Sequence, residues 1–277
     1  MRLGGPLFKT FDTPDAWIQV LRKTGYRAGF CPVNPCSSRE SIRDYSTAAR
    51  KADIIIAEVG AWSNPLSPDK TERDNARSQC MKALHLADEI GANCCVNIAG
   101  SRGRKWDGPD SSDLTEETFE MIVQAVREII DEVRPSRTFY ALETMPWMYP
   151  DSADSYLKLI KAIDRKSFAV HFDPVNLISS PQHYFSNGTL IRDFIDRLGG
   201  YIRSCHAKDI SLGDKLTVHL DEVRPGLGGL DYRTYMRELD RLDTNIPLML
   251  EHLSTEEEYR LAAEHIRNIA ADEGIRT

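Results

Sequence analysis

Short apolar runs of strand length alternate along this chain with longer stretches whose apolar residues recur at helical spacing. The strand-like runs are LGGPLF (3–8), YRAGFCP (26–32), DIIIAEVGAW (53–62), NCCVNIAG (93–100), TFYALETMP (138–146), FAVHFDPVN (168–176), YIRSCHAKDI (201–210) and IPLMLEHL (246–253). Two of the stretches between them are clear amphipathic helices. DNARSQCMKALHLADEIGA sets Ala76, Cys80, Ala83, Leu84 and Ala87 on one stripe, and TEETFEMIVQAVREIIDEV does so with Phe119, Ile122, Val123, Val126, Ile129 and Ile130. Asp113 before Glu116 and Thr255 before Glu258 have capping-box spacing and predict two helix starts. Eight strand–helix units predict a parallel sheet, and eight is the number a closed barrel needs. The rival open, doubly wound sheet lacks its Gly-x-Gly-x-x-Gly turn after the first strand. No Pro/Gly/Ser-rich linker divides the chain. The expectation is an α/β protein folded as one (β/α)₈ TIM barrel domain over residues 1–277.

The polar residues inside these runs change the picture. In AVHFDPVNLI (169–178), Val170 and Phe172 call for burial, while His171 and Asp173 share the opposite face. An ionised aspartate there is costly unless something pairs with it. Glu143, Asp173, His206 and Glu251 stand late in the fifth to eighth strands at matching depth. That places them together on the C-terminal rim, where barrel enzymes build their sites. Singly, each could be a rim group bridged to a Lys or Arg. Together, three carboxylates and an imidazole repel unless a cation sits among them. An oxygen-rich set with one nitrogen suits Mn²⁺ first, with Mg²⁺ or Co²⁺ as alternatives, over a thiolate-bound structural zinc.

Composition narrows the class. The charge of −7 argues against a nucleic-acid partner, and no segment approaches the ~20 apolar residues of a membrane span. The first residues lack an apolar stretch of signal-peptide length, so a cytoplasmic protein is expected. The six cysteines form no CxxC pair and read as reduced, mostly buried thiols.

The segments ALETMP, HFDPVN, SCHAKDI and LMLEHL, in this order, resemble the xylose isomerase-like barrels, and within them the sugar phosphate isomerase/epimerase group that includes ketose 3-epimerases. The resemblance implies one divalent metal on Glu143, Asp173, His206 and Glu251, with Glu143 and Glu251 also the acid/base pair. It implies a substrate contact for Arg224, which precedes a Gly-x-Gly turn in EVRPGLGGLDY. The related type IV apurinic endonucleases carry extra ligands for three zinc ions; here Asn176, Glu58 and Asn97 stand where that branch has histidines, and its Asp-x-His reads Thr217-Val-His219, which leaves too few ligands for three metals. Asn176 also replaces a histidine common in the epimerases. It can hydrogen-bond but cannot carry a proton, which points to a substrate other than a simple ketohexose.

Further candidates follow from position. Lys208 shares the face of His206 and could reach a substrate oxygen, and Asp209 could orient a neighbour. His171, one step deeper than Asp173 on the same face, either supports the ligand set from behind or is a satisfied core histidine, the second being the preferred reading. Glu58 and Trp62 end the third strand and Trp147 follows the fifth, as mouth residues or rim packing. His219 and Glu222 lie on an expected long loop, 211–229, with His219 a candidate for touching substrate. The glycines of PGLGGLD either bind phosphate through backbone N–H groups or simply turn the chain. The expected partner is a small carbohydrate, with a homo-oligomer left open. The chemistry expected is proton transfer next to a carbonyl, through an enediolate that the metal stabilises: epimerisation or isomerisation. The alternative is a lyase on the same frame. It would act as an inosose or dehydroshikimate dehydratase, or cleave C-glycosides through 3-oxo-glycosides.

Overall fold

The apolar runs become eight short parallel strands in a computed structural model of residues 1–277: β1 (Arg2–Gly4), β2 (Ala28–Phe30), β3 (Ile55–Gly60), β4 (Cys94–Asn97), β5 (Tyr140–Glu143), β6 (Phe168–Phe172), β7 (Ile202–Ala207) and β10 (Pro247–Leu250). They close into a barrel in the order β1-β10-β7-β6-β5-β4-β3-β2. The helices are α1 (Pro14–Thr24), α2 (Arg39–Ala52), α3 (Lys70–Ile90), α4 (Glu116–Val133), α5 (Ala153–Ile163), α6 (Pro181–Phe185), α7 (Asn187–Leu198), α8 (Tyr232–Leu242) and α9 (Glu256–Glu273). No helix is long and apolar enough to cross a membrane.

The stripe residues of α3 are all buried, as are those of α4 apart from the half-buried Phe119. Strand alternation sorts β6 as its sequence predicts. Phe172 points outward and stacks on Phe194 of α7, ring centroids 4.2 Å apart, while His171 and Asp173 point into the barrel. Of the six cysteines, all free, Cys80, Cys94, Cys95 and Cys205 are buried, Cys31 is half-buried and Cys36 is exposed.

Three expectations need correction. Thr115, not Asp113, caps α4, accepting from the Thr118 amide. Asp113 is buried and ties down the preceding loop instead, accepting from Ser101 Oγ and from the Arg102 and Asp110 amides. The expected loop 211–229 is partly ordered as an antiparallel hairpin of β8 (Asp209–Leu212) and β9 (Leu220–Val223). The glycine-rich turn has no amides to spare for a phosphate. Gly226, Gly228 and Leu230 donate to the Asp209 carboxylate, and Gly229 donates to the Ile210 carbonyl. Asp209 thus orients a neighbouring turn, as its position suggested.

Candidate active site

The rim residues arrive from four adjacent strands. Glu143 ends β5, Asp173 follows β6, His206 lies in β7 and Glu251 follows β10. Each of the four offers a ligand atom within 4.8 Å of the others. His206 Nδ1 stands 2.8 Å from Glu251 Oε1 and 3.2 Å from Glu143 Oε1. Local geometry aims each group. Asp173 accepts the Val175 amide on Oδ1, which turns Oδ2 inward. The residue after Glu251, His252, takes a left-handed backbone, φ 58°, and its ring meets Glu222 at 3.2 Å. Strain of this kind concentrates where a site is held in place.

Lys208 is buried among the same carboxylates, its Nζ 2.7 Å from Glu251 Oε1 and 2.9 Å from Asp173 Oδ2. Each of these oxygens thus faces a positive charge at ion-pair distance, and the His206 ring is a second close neighbour of Glu251 Oε1. Three carboxylates gathered this closely carry more negative charge than one ammonium offsets, and an added cation would relieve their repulsion. Three carboxylates and one imidazole fit a hard or borderline divalent cation.

Burial alone would lower the pKa of His206, but Glu251, Glu143 and Glu58 raise it well above the usual imidazole range. Burial pushes Asp173 up to about 6, against the pull of Lys208 and with help from Glu143 and Glu251. Glu251 goes the other way: burial would raise it, yet His206 and Lys208 hold it well below the usual carboxylate range.

Glu58 departs from the mouth position expected for it. It is 2% exposed and lies under the cluster. Its Oε1 is 3.3 Å from His206 Nε2, while Oε2 meets His171 Nε2 at 2.9 Å and accepts from Ser204 Oγ at 2.8 Å. A carboxylate on one ring nitrogen fixes the ring and leaves the other nitrogen facing the cluster. His171 is therefore no simple core histidine, since its ring supports the carboxylate that supports His206. Glu58→Ala is expected to weaken divalent-cation affinity ~10–100-fold, with Glu58→Gln between it and the wild type. Isothermal titration with Mn²⁺ reads this directly, and unchanged affinity in Glu58→Ala would refute the support.

The other expected residues divide. Asn176 lines the cavity over the cluster and donates from Nδ2 to Glu143 Oε1 (3.1 Å) and to the Thr144 carbonyl (3.0 Å), so it steadies Glu143. Trp62 and Trp147 stand at the cavity mouth, and Glu222 reaches in from β9. Arg224 does not line the cavity, because Glu258 at the start of α9 holds its Nε at 3.0 Å. His219 is exposed on the β8–β9 connection, its backbone carbonyl accepting from the Gly213 amide, away from the cavity.

A family model described as xylose isomerase-like TIM barrel matches residues 18–269. Among solved structures, D-psicose 3-epimerase from Clostridium cellulolyticum H10, determined with D-tagatose, is 17% identical, with 99% of each chain covered and a TM-score of 0.68. The probable 3-DHS dehydratase of petrobactin synthesis from Bacillus anthracis is 16% identical, covering 98% of this chain and 99% of that one, with a TM-score of 0.72. A xylose isomerase-like TIM barrel protein from Mycobacterium smegmatis, in complex with magnesium, is 17% identical over 94% of this chain and 89% of that one, at a TM-score of 0.66. At these identities the likeness shows the fold alone. No curated protein matches the sequence significantly.

Proposed function

The chain belongs to the xylose isomerase-like TIM barrel family, and we propose that it is a sugar or keto-polyol isomerase or epimerase, with one divalent cation on Glu143, Asp173, His206 and Glu251. The observation that carries this reading is the convergence of three carboxylates and one imidazole, each with a ligand atom within 4.8 Å of the others, at the C-terminal rim of the barrel. Mn²⁺ is the first choice and Mg²⁺ or Co²⁺ the alternatives, on the chemistry of the donor set. When bound, such an ion supplies positive charge where the carbonyl oxygen of the substrate becomes negative. Glu143 and Glu251 approach the cluster from strands separated by β6 and β7. One takes the proton from carbon and the other returns one. Return to the opposite face of the same carbon epimerises it, and return to the adjacent carbon interconverts aldose and ketose. Lys208 donates to a substrate oxygen, Asn176 keeps Glu143 in place, and Trp62 borders the substrate at the mouth. Arg224 and His219, outside the cavity, have no role in this reading.

A lyase is the second reading, favoured by Asn176 standing where the epimerases carry a histidine: after the same proton abstraction by one glutamate, a β-hydroxyl leaves as water with a proton from the other, and carbon is not reprotonated. Deuterium exchange from solvent into a polyol ketone, dependent on added Mn²⁺, tests the shared first step. Its absence with ketohexoses, inososes and 3-oxo-glycosides alike would refute both readings. Product analysis on the same panel separates them.

Cation binding should depend on pH with a definite sign. His206 must surrender its proton before Nδ1 can hold an ion, and below about 6 Asp173 must do so too. The logarithm of Mn²⁺ affinity should therefore rise by roughly one per pH unit above that point and by roughly two below it. The folded pKa of Asp173 lies above its unfolded value, so its contribution to the stability of the cation-free protein falls as pH rises from about 4 through 6. Titrations across pH 5–8 read the affinity slope, and a flat profile would contradict the proposed ligands.

A further inference from the structure

The cavity of about 520 Å³ over the carboxylates is divided by chemistry. Its charged floor is Glu58 of β3 together with Glu143, Lys208, Glu222, Glu251 and His252 from the later strands and their loops, beside Asn176. The remaining wall comes from the ends of β2 to β5 and the loops that follow them, and is built from Phe30, Trp62, Ile98, Trp106, Met145 and Trp147. Trp62 and Trp147 are 41% and 37% exposed at the cavity mouth, with their indoles open to a ligand. This wall is fixed in place. Trp147 Nε1 donates to the Asp107 carbonyl at 3.0 Å, and the Trp106 carbonyl accepts from the Ser101 amide at 2.9 Å. A free hexose fills only part of a space of this volume.

We propose that the substrate is amphipathic: a polyol or keto-sugar head on the carboxylate floor, joined to a flat aromatic substituent lying against Trp62, Trp106 and Trp147. The inference rests on reading that floor as the sugar-binding end. An aromatic group suits the wall better than a second sugar does. Beside the indoles the charged groups are Lys105 and Asp107, paired at 3.2 Å, while Glu58 on the floor is engaged by His171, Ser204 and His206, so the hydroxyls of a second sugar would give up water with few partners in exchange. An aromatic ring gives up none and gains indole contacts.

Calorimetric titration of the Mg²⁺-loaded protein with methyl β-D-glucoside, phenyl β-D-glucoside and cellobiose tests this. Phenyl glucoside should bind at least about tenfold tighter than methyl glucoside, the gain expected for burying an apolar group of that size. Trp62→Ala and Trp147→Ala should each shrink that ratio, and Trp62→Phe should restore most of it. Equal affinity for the two glucosides would overturn the proposal. So would cellobiose binding as tightly as phenyl glucoside, a ratio unmoved by both alanine variants, or no binding of phenyl glucoside. Asp173→Ala separates this inference from its premise. Weaker binding of every glucoside at a constant ratio supports both, whereas unchanged affinity at a constant ratio removes the premise and leaves the aromatic wall standing.

Discussion

Glu143→Gln and Glu251→Gln should each lower turnover by ~10²–10⁴-fold, the range for loss of a general base, while the divalent cation stays bound with modestly reduced affinity. The asymmetry follows from what the substitution removes. An amide keeps an oxygen that can face the cation, and Glu143→Gln can still accept from Asn176 Nδ2, so the geometry at β5 survives. What is lost is the capacity to hold a proton. Steady-state turnover beside Mn²⁺ titration separates the two effects, and exchange distinguishes the two glutamates. Losing the base that acts first should abolish deuterium incorporation from solvent, whereas losing the other can leave wash-in without product. Near-normal turnover in both variants, with cation bound, would falsify the two-glutamate mechanism.

Removing a ligand outright should have the opposite signature. Asp173→Ala or His206→Ala is expected to abolish stoichiometric Mn²⁺ binding and, with it, activity. Asp173 contributes a fully buried carboxylate oxygen that faces the cluster, and His206 contributes the single nitrogen of the set. The aspartate also anchors the turn after β6 through the Val175 amide. Asp173→Asn, which can keep that bond, is therefore the control that separates folding from cation loss. Metal analysis after dialysis and thermal melts of each variant make the comparison. Undiminished Mn²⁺ in both alanine variants would remove the proposed centre.

Strand period made the barrel and its rim legible in the sequence. In β6 a simple alternation sends Phe172 to the helices and His171 and Asp173 inward, and the same logic places Glu143, His206 and Glu251 at one depth. Where that period breaks, the sequence is a poorer guide. The pairing of β2 with β3 slips a residue between Gly29↔Ile56 and Phe30↔Glu58, and such a bulge re-aims a strand. Glu58 consequently lies under His206 instead of at the mouth, and His171 beside it takes the supporting role that strand position alone left second to a core one. Loop side chains depend on partners distant in sequence. Arg224 is taken by Glu258, the glycine-turn amides are taken by Asp209, and His219 sits on a hairpin that looks like an open loop in sequence. The aromatic wall was only half visible: Trp62 and Trp147 follow strands, but Trp106 joins them through a loop whose anchor is the buried Asp113.

A crystal soaked in MnCl₂ above pH 7, with diffraction data collected at the manganese absorption edge, addresses the central claim most directly. The account predicts one strong anomalous peak bounded by Glu143, Asp173, His206 Nδ1 and Glu251, with the Lys208 ammonium moved off the carboxylates it now touches. A map with no peak there, and Lys208 still in contact with Asp173 and Glu251, would contradict it.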